Sequence, residues 1–122
     1  MRSGEVALDQ SEDGLTVVTI TGEHDLNTAP VLRERLEGLI ADATPLIVDL
    51  TEATFIDSSI LGVVLQARRD AADAGIGFAV AHEDGDDAVS RVLEVTGLRR
   101  ELPVHESREL ALAELRGRGA AD

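Results

Sequence analysis

The sequence predicts an α/β domain built on a mixed sheet, and three stretches carry that prediction. Leu15-Thr16-Val17-Val18-Thr19-Ile20-Thr21 is rich in β-branched residues, which fit a pleated, half-buried surface. Leu46-Ile47-Val48-Asp49-Leu50 is a short, nearly unbroken apolar run, the mark of a strand covered on both faces. Ile60, Leu61, Val63, Val64, Leu65 and Ala67 then recur at helical spacing, with Gln66, Arg68, Arg69 and Asp70 tending to the other side. At 122 residues there is length for one ordinary domain and too little for two.

Val6 to Asp9 reads as a first strand and Ser11-Glu12-Asp13-Gly14 as a turn, so Leu15 to Thr21 should return as a hairpin. Gly22 is expected to end that strand, and Glu23 to Asn27 to form a polar loop. Thr28 is the expected N-cap of a helix with Ala29 and Pro30 in its first turn. Val31, Leu32, Leu36, Leu39 and Ile40 supply its apolar face, and Asp42 to Pro45 break it near Ala41. After the buried strand, Thr51 to Phe55 reads as a polar turn and Asp57 as the N-cap of the central helix. Gly75 is a natural C-cap, and Gly77 to Ala81 reads as another buried strand followed by the acidic loop His82 to Asp87. Ala88, Val89, Val92, Leu93 and Val95 support a helix closed by Thr96-Gly97. Leu102-Pro103-Val104-His105 suits an edge strand, because proline cannot donate to a ladder. Ser107 then caps Arg108 to Leu115, with Leu110, Ala111 and Leu115 expected to dock on the core. Arg116 to Asp122 is rich in Gly and Ala and is expected to fray. No internal repeat or linker divides the chain.

Hydrophobic residues make up 43% of the chain but aromatics only 2%, so the core is expected to be Val, Leu, Ile and Ala. The 24 acidic residues outnumber 11 basic ones, all Arg, and the net charge is −13. Such a surface repels phosphates and argues against nucleic acid as a partner, whereas a basic protein suits it. Without cysteine there is no disulfide or thiolate chemistry. The N-terminal MRSGEVALDQ lacks an apolar signal core and no run has transmembrane length, so the expected location is the cytoplasm and no membrane association is expected.

The residues that could carry chemistry gather around Asp57-Ser58-Ser59. A buried strand delivers two hydroxyls to a helix N-terminus, where free N–H groups and the dipole favour negative charge. This is a plausible seat for a phosphate, although on pattern alone the commoner reading is an ordinary cap for a core helix. Catalysis by the chain itself is not expected. Ser58 lacks a G-x-S-x-G elbow, and His24, His82 and His105 have no metal-ligand spacing. Glu83-Asp84-Gly85-Asp86-Asp87 lacks the alternation and closing Glu of a calcium loop, and Gly75-Ile76-Gly77 lacks the rest of a dinucleotide motif. No metal or cofactor is expected.

Two segments, TGEHDLNTA from Thr21 and VDLTEATFIDSSILGVV from Val48, resemble the signature segments of the STAS family, named for sulfate transporters and anti-sigma factor antagonists. VTGLRRELPVHESRELAL, from Val95, resembles that family's closing pattern, so the likeness covers about Glu5 to Arg116. It implies a single STAS-type domain over 1–122, a mixed β-sheet with helices packed mainly on one side. It also implies an anti-sigma factor antagonist of bacterial type, in which Ser58 is phosphorylated by an anti-sigma factor that is a serine kinase and itself binds the ATP. A phosphatase would reverse the step, and self-association stays open. Ser59 is the alternative acceptor. By the same resemblance Glu23, Asp25, Asn27, Thr28, Asp57, Ser59 and Ile60 are candidate partner-binding residues. The bland reading of Asp25, Asn27 and Thr28 is turn and cap stabilisation. His24 stands where the family has an apolar residue and reads as a solvated loop histidine. Ile60 replaces a usual Gly and would put a branched side chain beside the acceptor. Gly62 matches the second Gly of the pattern and would permit close helix packing. The runner-up is an unphosphorylated STAS interaction subunit of a lipid-transporting ABC-type assembly, and a hydrolase using Ser58 comes last.

Overall fold

The structure is a computed structural model that describes residues 4–10 and 14–120, the side chains of the last three excepted. In chain order the elements are β1 (Glu5–Gln10), β2 (Thr16–His24), α1 (Ala29–Ala41), β3 (Leu46–Asp49), β4 (Ala53–Ile56), α2 (Ser58–Ala74), β5 (Phe78–Ala81), α3 (Ala88–Thr96), a short 3-10 turn (Leu98–Arg100), β6 (Val104–His105) and α4 (Arg108–Ala120). The strands form one mixed sheet in the order β1-β2-β3-β5-β6, with β1 antiparallel and the others parallel, and β4 beside β2.

Alternation along the strands divides the core in two. Val18, Ile20, Leu46, Val48, Phe78 and Val80 face α1, α2 and α3, meeting Leu32, Leu36, Ile60, Leu61, Val64 and Leu93. Leu15, Val17, Ile47, Ala79 and Ala81 face the other way, onto Ala111 and Leu115 of α4. Three helices therefore share one face and one covers the other, as the STAS resemblance implies. Each fully buried Leu or Ile contributes about 1.5–3 kcal/mol relative to an exposed one. Val31, Val95 and Leu110, expected inside, are instead 48%, 81% and 53% exposed. Each sits outside the arc of its helix that touches the sheet. The last helix also runs past Leu115 to Ala120, where fraying was expected. The predicted turn at Ser11-Glu12-Asp13 lies outside the described residues.

Two local departures shape the functional end. Gly22 does not end β2. It adopts φ +78°, the register shifts there, and Glu23 and His24 continue the strand. The expected polar turn at Thr51–Phe55 is partly a strand. β2 pairs first with β3 through Thr16–Thr19, then with β4 through Gly22–His24. The link is tight: Asp49 Oδ1 accepts from the Thr51 N–H at 2.9 Å, and the Ala53 N–H donates to Leu50 O at 3.1 Å. The kinked β3–β4 path carries Ile56 opposite His24 and sets Asp57 down beside the β2–α1 turn.

On the α4 face the sheet holds a charge. Asp49, its side chain 2% exposed, receives Arg108 Nε at 2.9 Å, while Arg108 Nη2 donates to Thr19 Oγ1 at 2.8 Å. Arg108 also lies 3.9 Å from Asp9, so its loss matters most to Asp49: the buried carboxylate would lose its ionic partner, which costs about 3–5 kcal/mol for buried pairs and less here, where Arg108 is partly exposed.

Candidate functional site

Asp57 is extended, at φ −113° and ψ −177°, and caps α2 by accepting from the Ser59 and Ile60 N–H groups at 3.0 and 3.2 Å. The Ser59 hydroxyl donates to the same oxygen. Partial burial of Asp57 opposes its charge. The hydrogen bonds from Ser59, Ile60 and the Leu26 backbone outweigh that and hold its carboxyl below the ordinary value of 3.8.

Ser58 occupies the first position of the helix. It is exposed, and among the described residues its hydroxyl has no partner. Ser59 is half-buried with its hydroxyl committed to Asp57. Two adjacent serines thus differ sharply in availability. Ile60, at the third position, is 0% exposed and belongs to the core. The expectation that Ile60 meets a partner beside the acceptor is corrected: one further step around the helix turns its side chain inward.

The second candidate segment wraps around a histidine. His24 is 1% exposed, a buried core residue where a solvated one was expected. Its Nε2 lies 3.0 Å from Thr21 O and its Nδ1 3.1 Å from Thr28 Oγ1. Gly4 covers the ring so closely that a Cβ there would sit 2.1 Å from Nε2. Thr28 is the N-cap residue of α1, as expected, but its side chain makes no capping hydrogen bond. Its hydroxyl donates to Asp25 O at 3.1 Å and accepts from the Asp25 N–H at 3.0 Å. Asp25 Oδ1 in turn accepts from the Asn27 N–H at 2.9 Å, a local turn bond. Asp25 and Thr28 are half-buried, while Glu23 and Asn27 are exposed.

Between the starts of α1 and α2 runs a groove of about 400 Å³, with Leu26, Pro30, Arg33, Ser59 and Gly62 on its walls. Gly62 does not serve close packing. It is exposed, and a Cβ added there would meet nothing within 4 Å. Leu26 is 72% exposed on the rim, a feature that its place in a polar segment concealed. Sequence reasoning also missed a second capped loop on the same edge of the sheet. There His82 is 3% exposed with Nε2 2.8 Å from Ser90 Oγ, and Asp87 caps α3 by accepting from the Ser90 N–H at 2.7 Å.

Among the described residues no group of three or more His, Cys, Asp or Glu is placed to hold a metal ion, and no helix is long and apolar enough to cross a membrane.

Comparison with known proteins adds sequence relationship to this geometry. Residues 7–111 match the family model described as the STAS domain. The chain is 30% identical over 104 residues to the anti-sigma F factor antagonist of Paenibacillus polymyxa, covering 84% of this chain and 87% of that protein. It is 31% identical over 94 residues to the anti-sigma-B factor antagonist of Bacillus subtilis strain 168, covering 77% and 84%. The crystal structure of an anti-sigma factor antagonist from Mycobacterium paratuberculosis superposes with a TM-score of 0.82 at 29% identity, over 93% of this chain and 95% of that one.

Proposed function

We propose that this chain, which belongs to the STAS domain family and is of the anti-sigma factor antagonist type, acts as a switch controlled by phosphorylation of Ser58. With a free Ser58 hydroxyl it binds an anti-sigma factor in the cytoplasm and so frees a sigma factor for transcription. With Ser58 phosphorylated it lets that partner go. The partner doubles as the serine kinase and carries the ATP, and a phosphatase resets the switch.

The observation that carries this reading is the contrast between Ser58 and its neighbour. Ser58 is exposed at the mouth of a 17-residue helix, whereas the Ser59 hydroxyl is held by Asp57. In the transfer, Ser58 Oγ attacks the γ-phosphorus, the bridging P–O bond breaks, ADP leaves, and the hydroxyl proton passes to a base of the kinase. The product adds about −1.5 to −2 charges at one point. The first turn of α2 can tolerate that charge, because its free N–H groups and dipole favour an anion. A surface fitted to a neutral hydroxyl beside the ionised Asp57 cannot. The fold survives while binding is lost, which is a local electrostatic switch. Exposed Glu23 and Asn27, the Asp25 turn with Thr28, and the Asp57 cap with Ser59 supply the surrounding contacts. A net charge of −13 favours a basic partner.

The test is intact mass after incubation with a candidate anti-sigma kinase and Mg-ATP, with wild type and Ser58→Ala in parallel. One added phosphate on wild type alone is expected. Modification of both proteins would move the site to another hydroxyl. No modification, by a kinase active on another antagonist, would sink this partner. Ser58→Asp is expected to weaken binding to the anti-sigma factor by about tenfold or more, equivalent to about 1.4 kcal/mol.

A further inference from the structure

The loop from β5 into α3 is held by a network, buried at His82 and Ser90, that no part of the Ser58 switch uses. Ser90 Oγ accepts from the Gly85 N–H at 3.0 Å and lies 2.8 Å from His82 Nε2. The Ser90 N–H donates to Asp87 Oδ1 at 2.7 Å. The His82 backbone N–H donates to His105 O at 2.8 Å, fastening the ring's own backbone to β6. Against this full set of bonds stands one omission. His82 Nδ1 is the sole buried side-chain polar atom among the described residues with no hydrogen-bond partner.

Proton positions follow from counting donors. Ser90 has one hydroxyl hydrogen. If His82 Nε2–H donates to Ser90 Oγ, the serine hydrogen is free to turn to Asp87, and Nδ1 is left as a bare acceptor. The other tautomer would bury an N–H at Nδ1 with nothing to receive it, the rarer and costlier orphan. A protonated ring carries hydrogens on both nitrogens and cannot avoid that orphan while the loop stays closed. We propose that the His82–Ser90–Asp87 network is an acid-released latch: neutral His82 closes the β5–α3 loop on α3, and protonation of the ring opens it.

The charged groups around the ring come from three elements. Asp84 and Asp87 on the loop and Glu106 after β6 favour the imidazolium, while Arg99 in the 3-10 turn opposes it. Asp87 Oδ1 is the nearest carboxylate oxygen, at 3.9 Å from Nε2. Desolvation outweighs the acidic neighbours and holds the ring below the ordinary histidine value of 6.5. The open loop releases the ring into water and regains ordinary basicity, so opening takes up a proton. The latch is closed at neutral pH and weakens as pH falls below the open-state value. Its location gives the opening a consequence. The first turn of α3 packs into the same core cluster as Ile56, the residue before Asp57, through Val89. Loosening that turn removes support from beneath the start of α2.

Amide hydrogen exchange, corrected for intrinsic rates, tests this from pH about 7.5 down to about 5.5, the interval in which an ordinary histidine takes up its proton. Imidazole NMR shifts would be recorded on the same samples. In wild type the Gly85 and Ser90 amides should lose protection by up to about tenfold per pH unit as pH falls below the open-state value, ahead of the titration of the closed ring. His82→Gln keeps a donor near the Nε2 position and cannot be charged, so it should retain protection and lose the pH response. Ser90→Ala should be poorly protected at every pH. Protection in wild type that stays flat as pH falls from about 7.5 to about 5.5 would overturn the latch. So would an equal pH response in His82→Gln. Wild type alone decides the matter if the variants fold badly.

Discussion

The first turns of α2 and α3 are two versions of one device placed side by side on the sheet. Each follows a parallel strand, each starts with an extended Asp, and in each the carboxyl lies below 3.8 through hydrogen bonds to the turn that it caps. Ser58-Ser59-Ile60 follows Asp57, and Ala88-Val89-Ser90 follows Asp87. The third position faces inward in both: Ile60 is 0% exposed and Ser90 5%. The first position faces outward in α2, where Ser58 is exposed, and is half-buried in α3. A hydroxyl at the first position is available to another protein, and a hydroxyl at the third is spent on the fold. Two residues of helical rotation, about 200°, separate a modifiable serine from a structural one.

Moving a charge between the two places should break the symmetry most visibly. Ser90→Asp buries a carboxylate among groups arranged around a hydroxyl and is expected to cost about 3 kcal/mol. Ser58→Asp, exposed at a helix N-terminus, should stay within about 0.5 kcal/mol of wild type. Urea unfolding of the two variants measures the contrast, and equal losses would mean that Ser90 is less confined than it looks.

The caps themselves should behave alike. Asp57→Ala and Asp87→Ala are each expected to lose about 1 kcal/mol, read from the midpoint of thermal or urea unfolding. Both carboxyls are depressed in the folded state, so their contribution is present above pH 3.8 and is lost as pH falls through the lower folded values. His82 adds an earlier loss, beginning as pH drops through 6.5, which the α2 cap lacks. A stability profile in which Asp57→Ala and Asp87→Ala shift the same acid limb, and only His82→Gln removes the upper step, is the expected result.

The smallest effect concerns the fifth position, Gly62 in α2 and Val92 in α3. Val92 packs against the core, whereas Gly62 opens onto the groove beside Arg33. Gly62→Ala should raise stability by about 0.5–1 kcal/mol, because Ala is the better helix former and the added methyl meets nothing. A simultaneous fall in affinity for the anti-sigma factor would show that the bare stretch of helix is kept open for the partner.

Much of this comparison could be read from residues alone. Asp57 announced its cap because a short polar side chain preceded a strongly periodic apolar run, and Leu46–Leu50 announced its burial by an almost unbroken apolar stretch. β4 was missed because Ala53-Thr54-Phe55-Ile56 is only four residues long and owes its strand to pairing with β2. His24 was misplaced for the same reason: the register shift against β4 after Gly22 lets β2 continue through a segment whose composition is that of a loop. Ile60 looked like an intrusion at the site until helical position showed that it belongs to the core. The His82–Ser90 contact spans eight residues, and no local pattern distinguishes a buried histidine from a wet one.

The pair formed by Asp49 and Arg108 bears on the order of events in folding. The bonds from Arg108 close chain separations of 59 and 89 residues, to Asp49 and Thr19, so they carry a large loop-closure cost. The hairpin and the β2–α1–β3 unit can form from nearer contacts. The arginine is then expected to arrive after the rate-limiting barrier, and its loss should speed unfolding far more than it slows refolding. In kinetic terms α4 acts as a bolt on the finished sheet: it sets how long the native state persists and has little part in how quickly that state is found.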